Sequence, residues 1–305
     1  MIRAFLLLLL LASPLHAAPA PYGILLLAHG GDPSWNGEIA KLRDQVDAKV
    51  PTETALGMAD VDSLQAAVDR LEKRGVKRVV AVPLFVQSKS EVLDQTRYAL
   101  KLADKPSASL KAAYERMAAA HGAHAKRDGH AHARPGHGHG HSMEFSTKQV
   151  SSRAPLAMSP ALDDHKLVGR ILAERAKTLS KEPAKESLVL VAHGPVDDAA
   201  MPAWRDSTSA LCAKIKGGFK SCSFGLLRDD AAPEIRAAAV AELRENVSAA
   251  KGKAIVLPVL IARGGIEKKI ERDLKGLEYA WDGKTLMPHD GFDAWVLEMA
   301  KKGAN

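Results

Sequence analysis

Cysteine is nearly absent from this sequence, with two in 305 residues, so thiolate-rich four-ligand metal sites are excluded and at most one intrachain disulfide can form. Aromatic residues make up only 5%, and the Lys and Arg side chains are scattered without interleaved rings, a pattern unlike a nucleic-acid surface. No GxGxxG fingerprint, Walker loop or GxSxG elbow follows an apolar run, so no nucleotide is expected. No apolar run reaches the length of a membrane span. The longest, Phe5 to Leu11, follows Arg3 and leads into Ser13-Pro14-Leu15-His16-Ala17-Ala18, the pattern of a secretory signal over residues 1–17. The mature protein is therefore expected to be exported to a periplasm-like compartment, with no stable membrane insertion. In an oxidising compartment Cys212 and Cys222 either pair locally or lie as two buried thiols.

What is present is an ordinary folded composition, 46% hydrophobic and 26% charged. The formal charge of +7 favours an acidic ligand, and a polycarboxylate small molecule fits better than a polynucleotide. Gly23-Ile24-Leu25-Leu26-Leu27-Ala28 is a continuous apolar run, as expected of a buried parallel strand, and it ends in His29-Gly30-Gly31. The pattern recurs as Ser187-Leu188-Val189-Leu190-Val191-Ala192 before His193-Gly194-Pro195. A second apolar strand is also duplicated, Arg78 to Val86 matching Lys253 to Ile261. Between these strands each copy has a helix, a short strand reaching Gly57 or Gly225, and an amphipathic helix, Ser63 to Arg74 or Pro233 to Asn246. A third pair, Pro160 to His165 and Thr285 to Asp290, begins the terminal helices.

Alternating strands and helices predict right-handed parallel crossovers. The expected fold is α/β: two similar three-layer αβα lobes with parallel sheets, facing each other across a cleft. The halves are read as residues 22–180 and 186–302. Ligands of parallel sheets collect at the carboxyl ends of the strands, which places His29, His193 and the residues after Phe85 and Ile261 at the cleft.

The first half carries an insertion, about residues 103–153, with too few large apolar residues for a core and therefore expected as a flexible loop. It holds His121, His124, His130, His132, His137, His139 and His141. Neutral imidazoles at this density suit Ni, Co, Cu or Zn, and metal capture is the expected role.

Taken together, the two Ala-His-Gly turns, the Val-Pro-Leu-Phe strand, the Leu-Asp-Asp-His element, the duplication and the His-rich insertion resemble the sirohydrochlorin cobaltochelatase/ferrochelatase family. These are ATP-independent class II tetrapyrrole chelatases, and the resemblance spans about Tyr22 to Ala300. It implies insertion of a divalent metal, Co or Ni before Fe, into a sirohydrochlorin-type tetrapyrrole, as in cobalamin and siroheme synthesis. It also implies His29 as metal ligand and proton acceptor, with His193 as its repeat partner. Eight positions beyond the strand proline, where the family commonly has a second histidine, stands Glu91; in the second copy Glu267 lies one place further on. Either carboxylate is suited to act as base or hard ligand. Arg263, directly after a third strand, is the expected partner of macrocycle carboxylates, with Arg97 and Arg228 as further candidates. His165 and His289 either face the cleft or start their helices, and Trp35 and Trp204 either stack on a macrocycle or pack. The alternative function is a non-catalytic exported protein that buffers metal on the same scaffold. Duplication supplies both cleft walls in one chain, so a monomer or small oligomer is expected.

Overall fold

The computed structural model describes residues 22–116, 145–250 and 252–304. The signal segment and the seven insertion histidines lie outside the described residues. Two four-stranded parallel sheets organise the rest. The first contains β1 (Gly23–Ala28), β2 (Thr52–Leu56), β3 (Val79–Pro83) and β4 (Leu156–Met158), in the order β2-β1-β3-β4. The second contains β5 (Glu186–Ala192), β6 (Ser221–Leu226), β7 (Lys253–Val259) and β8 (Tyr279–Ala280), in the order β6-β5-β7-β8. The central strands β1 and β5 are buried along their whole length, which is why they read as unbroken apolar runs instead of alternating ones. The fourth strand of each sheet, three and two residues long, was not foreseen from the sequence.

The helices are α1 (Pro33–Asp47), α2 (Val61–Lys73), α3 (Glu91–Ala99), α4 (Lys166–Leu179), α5 (Met201–Ile215), α6 (Pro233–Ser248), α7 (Ile266–Asp273) and α8 (Phe292–Ala304), and a further helical stretch covers residues 108–116. On the outer face of the first sheet, Leu25, Leu27, Val79 and Ala81 pack against Leu64, Val68 and Leu71 of α2. On the outer face of the second, Val189, Val191 and Val256 pack against Leu243 and Val247 of α6 and Ile270 of α7.

The inner faces are covered differently, because the helix ending each half crosses to the other sheet. α4, which follows β4, packs on β7 and α5, whereas the C-terminal α8 packs on β3, β4 and α1. Ion pairs fasten both crossings. Arg175 of α4 is bidentate to Asp282 (2.7 and 3.3 Å) and reaches the Pro258 carbonyl at 3.1 Å, while Lys49, just after α1, meets Asp293 of α8 at 3.0 Å. In space, each lobe therefore combines most of one sequence half, 22–180 or 186–302, with the final helix of the other. A single apolar cluster runs from Ile24 and Val80 through Trp295 and Leu172 to Leu188 and Ile255. The two cysteines are paired, joining α5 to β6.

The described ends of the insertion, 103–116 and 145–153, are irregular apart from the helical stretch 108–116, yet they are packed down on the lobes. Leu110 and Val150 are buried, and Val150 donates its amide to the Ala99 carbonyl at 2.9 Å. A few well-placed apolar residues suffice here because the lobe already supplies the core. The returning chain is received by Glu72 of α2, which accepts from the amides of Ala154 (3.1 Å) and Arg153 (2.6 Å), from Ser152 Oγ (3.0 Å) and from Arg153 Nε (3.0 Å). These bonds, the Ala154 amide foremost, outweigh the cost of burial and hold the Glu72 carboxyl at about 2, below its ordinary 4.5. A carboxyl whose pKa is depressed on folding contributes stability above its unfolded value and loses it as pH falls through the folded one. Glu72→Gln is expected to lower stability near neutral pH and to flatten the loss of stability between about pH 4.5 and about 2, measured by urea unfolding across that range.

Candidate functional site

The loops at the carboxyl ends of the two sheets meet between the lobes. In the first turn, His29 is exposed and its Nδ1 lies 2.9 Å from the Gly30 carbonyl. A carbonyl only accepts, so in the neutral ring Nδ1 carries the proton and the Nε2 lone pair points outward, able to bind a metal or take a proton. The turn is tightly built: Gly30 has φ +78°, and a Cβ on Gly31 would fall 2.2 Å from Trp35 Cδ1. The Asn36 amide closes it, accepting from the Gly31 amide at 3.0 Å and donating to the Gly31 carbonyl at 2.9 Å, while Asp32 caps α1 through the Trp35 amide. The ring is thus presented from a fixed turn at a strand end.

The second turn has the same backbone, with Gly194 also at φ +78° and His193 Nδ1 3.0 Å from the Gly194 carbonyl. Its surroundings differ. His193 Nε2 faces Asp230 Oδ2 at 3.4 Å, so both ring nitrogens look at oxygen acceptors. Buried Arg228, at φ +52°, donates to the carbonyls of Pro195 (3.0 Å) and Val196 (3.1 Å) and pairs with Asp198 at 2.6 Å. Ser109, at the root of the insertion, donates to Asp197 at 2.6 Å, and this bond together with the Ala199 amide keeps the Asp197 carboxyl below the usual range.

Residues 84–91 reach from the first lobe onto the second. Gln87 donates to the Ala203 carbonyl (3.0 Å) and Ser207 Oγ (2.9 Å), and the Lys89 carbonyl accepts from Trp204 Nε1 at 3.0 Å. Glu91, only 8% exposed, accepts at one oxygen from the amides of Val196 (2.8 Å) and Asp197 (3.1 Å). The structure therefore places Glu91 with the His193 turn. Glu267 accepts from the amides of Gly264 and Gly265 (3.4 and 3.2 Å) and caps the start of α7. Arg263 projects from the second lobe and, among the described residues, makes one hydrogen bond, 3.3 Å to the Gly283 carbonyl. The adjacent Gly264 lies against Trp35, a Cβ there falling 4.0 Å from its Cδ1, so the Arg263 loop stands beside the His29 turn.

Several other sequence candidates are engaged elsewhere. Trp35 and Trp204 are buried packing residues beneath the two turns. Arg97 pairs with Asp94 (2.8 Å) and donates to the Ser88 carbonyl (3.1 Å). His165 and His289 cap α4 and α8, accepting from the amides of Leu167 and Gly291, and each meets a glutamate of the other crossing helix, Glu298 at 3.4 Å and Glu174 at 3.3 Å. Lys302 and then His165 hold Glu298 at about 2. Among the described residues, no group of three or more His, Cys, Asp or Glu side chains converges as a metal cage.

Comparison with known proteins agrees with this architecture. The CbiX family model matches residues 23–95, from β1 through the His29 turn to α3. Two solved structures share the fold at 14% identity, each aligned over 93% of this chain and 95% of the other. One, with a TM-score of 0.55, is the sirohydrochlorin chelatase SirB from Bacillus subtilis subspecies spizizenii in complex with cobalt; the other, at 0.56, is SirB from Bacillus subtilis with Fe3+. No curated protein matches the sequence.

When its ring is neutral, His29 is expected to be the Nδ1–H tautomer. Ring-nitrogen NMR should give a protonated Nδ1 and a bare Nε2 for His29, with the assignment lost in His29→Ala.

Proposed function

Starting from a chain whose residues 23–95 match the CbiX family model and whose two lobes share the fold of the solved sirohydrochlorin chelatases, we propose that this protein inserts a divalent metal, Co or Ni before Fe, into a sirohydrochlorin-type tetrapyrrole without ATP. The observation that carries the reading is the outward Nε2 lone pair of His29 at the carboxyl end of β1, beside the second-lobe loop bearing Arg263. Insertion exchanges one divalent cation for two pyrrole protons. His29 holds the metal through Nε2; as the macrocycle nitrogens take the ion, the vacated imidazole accepts one proton and water the other. Arg263 pairs with a peripheral carboxylate and orients the ring. His193, with both nitrogens facing acceptors, is less suited to the same cycle. The relatives bound to cobalt and iron support a metal as substrate.

We also propose export to a periplasm-like compartment, where the seven histidines between 121 and 141 gather metal. The ends of that tract are anchored near one another, the Tyr114 and Phe145 rings being 6.2 Å apart. A second reading, metal buffering without catalysis, is favoured by Glu91, whose position the resemblance would give to a histidine and whose carboxylate is bound to the second lobe.

Anaerobic absorbance of sirohydrochlorin mixed with Co²⁺ or Ni²⁺ separates the two, with a protein-free blank. Under the chelatase reading, the protein exceeds the blank, His29→Ala falls by about 100-fold or to the blank, and deletion of residues 121–141 raises only the metal concentration required. A rate equal to the blank, with bound metal lost on that deletion, would establish buffering.

A further inference from the structure

The two lobes are duplicates, yet their cross-lobe contacts are unequal, and the inequality is written in particular residues. Counted from the strand-end prolines, Pro83 and Pro258, Gln87 corresponds to Ala262 and Glu91 to Ile266. Ser90 and Gly265 hold the same place as N-caps of α3 and α7, which supports the correspondence. The side chains that tie the first-lobe loop to the second lobe are thus replaced in the copy by ones with no hydrogen-bonding atom.

The receiving turns have diverged as well. Counted from the turn histidine, Val196 and Asp197 correspond to Asp32 and Pro33. Val196 and Asp197 offer two successive amides, a small concavity suited to an anion, and the Glu91 carboxylate fills it. Pro33 has no amide hydrogen, and the Asp32 carboxylate would repel another. The first-lobe turn therefore lacks the receptor as completely as the second-lobe loop lacks the carboxylate. Among the described residues, no hydrogen bond joins residues 260–266 to the first lobe; Gly264 faces Trp35, Ile261 and Ala262 pack on the shared apolar cluster, and Gly265 follows at φ +100°.

We propose that Glu91 is a positioning residue, a one-sided latch that fixes the His193 turn to the first lobe, and that the unlatched loop 260–266 is the wall of the cleft that moves to admit a ligand beside His29. The second turn is held from both sides, by Glu91 through its amides and by Arg228 through its carbonyls, and Gln87 and Trp204 extend the seam along the first turn of α5. The latch belongs to the lobes themselves and operates whatever the cleft binds.

Hydrogen–deuterium exchange of the purified protein, read by mass spectrometry, tests this without any ligand. In the wild type, residues 193–198 should exchange more slowly than residues 260–266. Glu91→Ala should speed exchange in 193–198 by about tenfold or more and leave 260–266 unchanged, because a hydrogen bond to a charged acceptor has been removed. Glu91→Gln, which keeps an oxygen acceptor, should give a smaller rise confined to the same segment, and it carries the test if the alanine variant does not fold. Equal exchange of the two segments in the wild type, or a change shared by both segments in either variant, would overturn the latch.

Discussion

Burial of both faces of two parallel sheets is the constraint from which the rest of the structure follows. Each sheet is apolar above and below, with Leu25 and Leu27 facing out and Ile24 and Leu26 facing in. The helices local to each half do not cover the inner faces alone. α4 and α8 complete that cover by crossing, and their burial merges the inner cores into one. The crossing brings the carboxyl ends of the two sheets together, so the cleft is a consequence of how the cores are closed. It also makes the lobes interdependent: Arg175, Asp282, His165, Glu298, His289 and Glu174 all bridge elements from different halves of the sequence.

Within that frame, duplication supplied two equivalent positions that have been put to different uses. Both turns keep the histidine and the left-handed glycine that orients its ring. The first retains an open Nε2. The second has become a junction, its histidine beside Asp230, its carbonyls on Arg228 and its amides on Glu91. Under the proposed function, a hydrogen-bonded seam on one side and a loop without cross-lobe hydrogen bonds among the described residues on the other would let the cleft admit a broad planar molecule and release it with its metal.

Much of this was legible in the sequence, for identifiable reasons. The buried strands announce themselves because two-sided burial removes polar residues, and the repeated His-Gly turns mark where the strands end. The short strands β4 and β8 carry no periodicity and passed unseen. The crossing of α4 and α8 was invisible because an amphipathic stripe reports burial and not the partner that buries it. Glu91 was legible as a carboxylate at an informative place, but its partners are the backbone amides of Val196 and Asp197, which leave no signature in side-chain identity. Arg228 reads in the sequence as a ligand for a carboxylate; only its backbone conformation and burial place it among the carbonyls of the second turn.

The division of labour between the two histidines is the central claim, and it is most directly tested by the anaerobic insertion rate of His193→Ala set beside that of His29→Ala at one Co²⁺ concentration. If the first turn does the chemistry and the second holds the lobes, His193→Ala keeps most of the wild-type rate while His29→Ala falls to the protein-free blank. Equal loss in the two variants, or loss in His193→Ala alone, would contradict it.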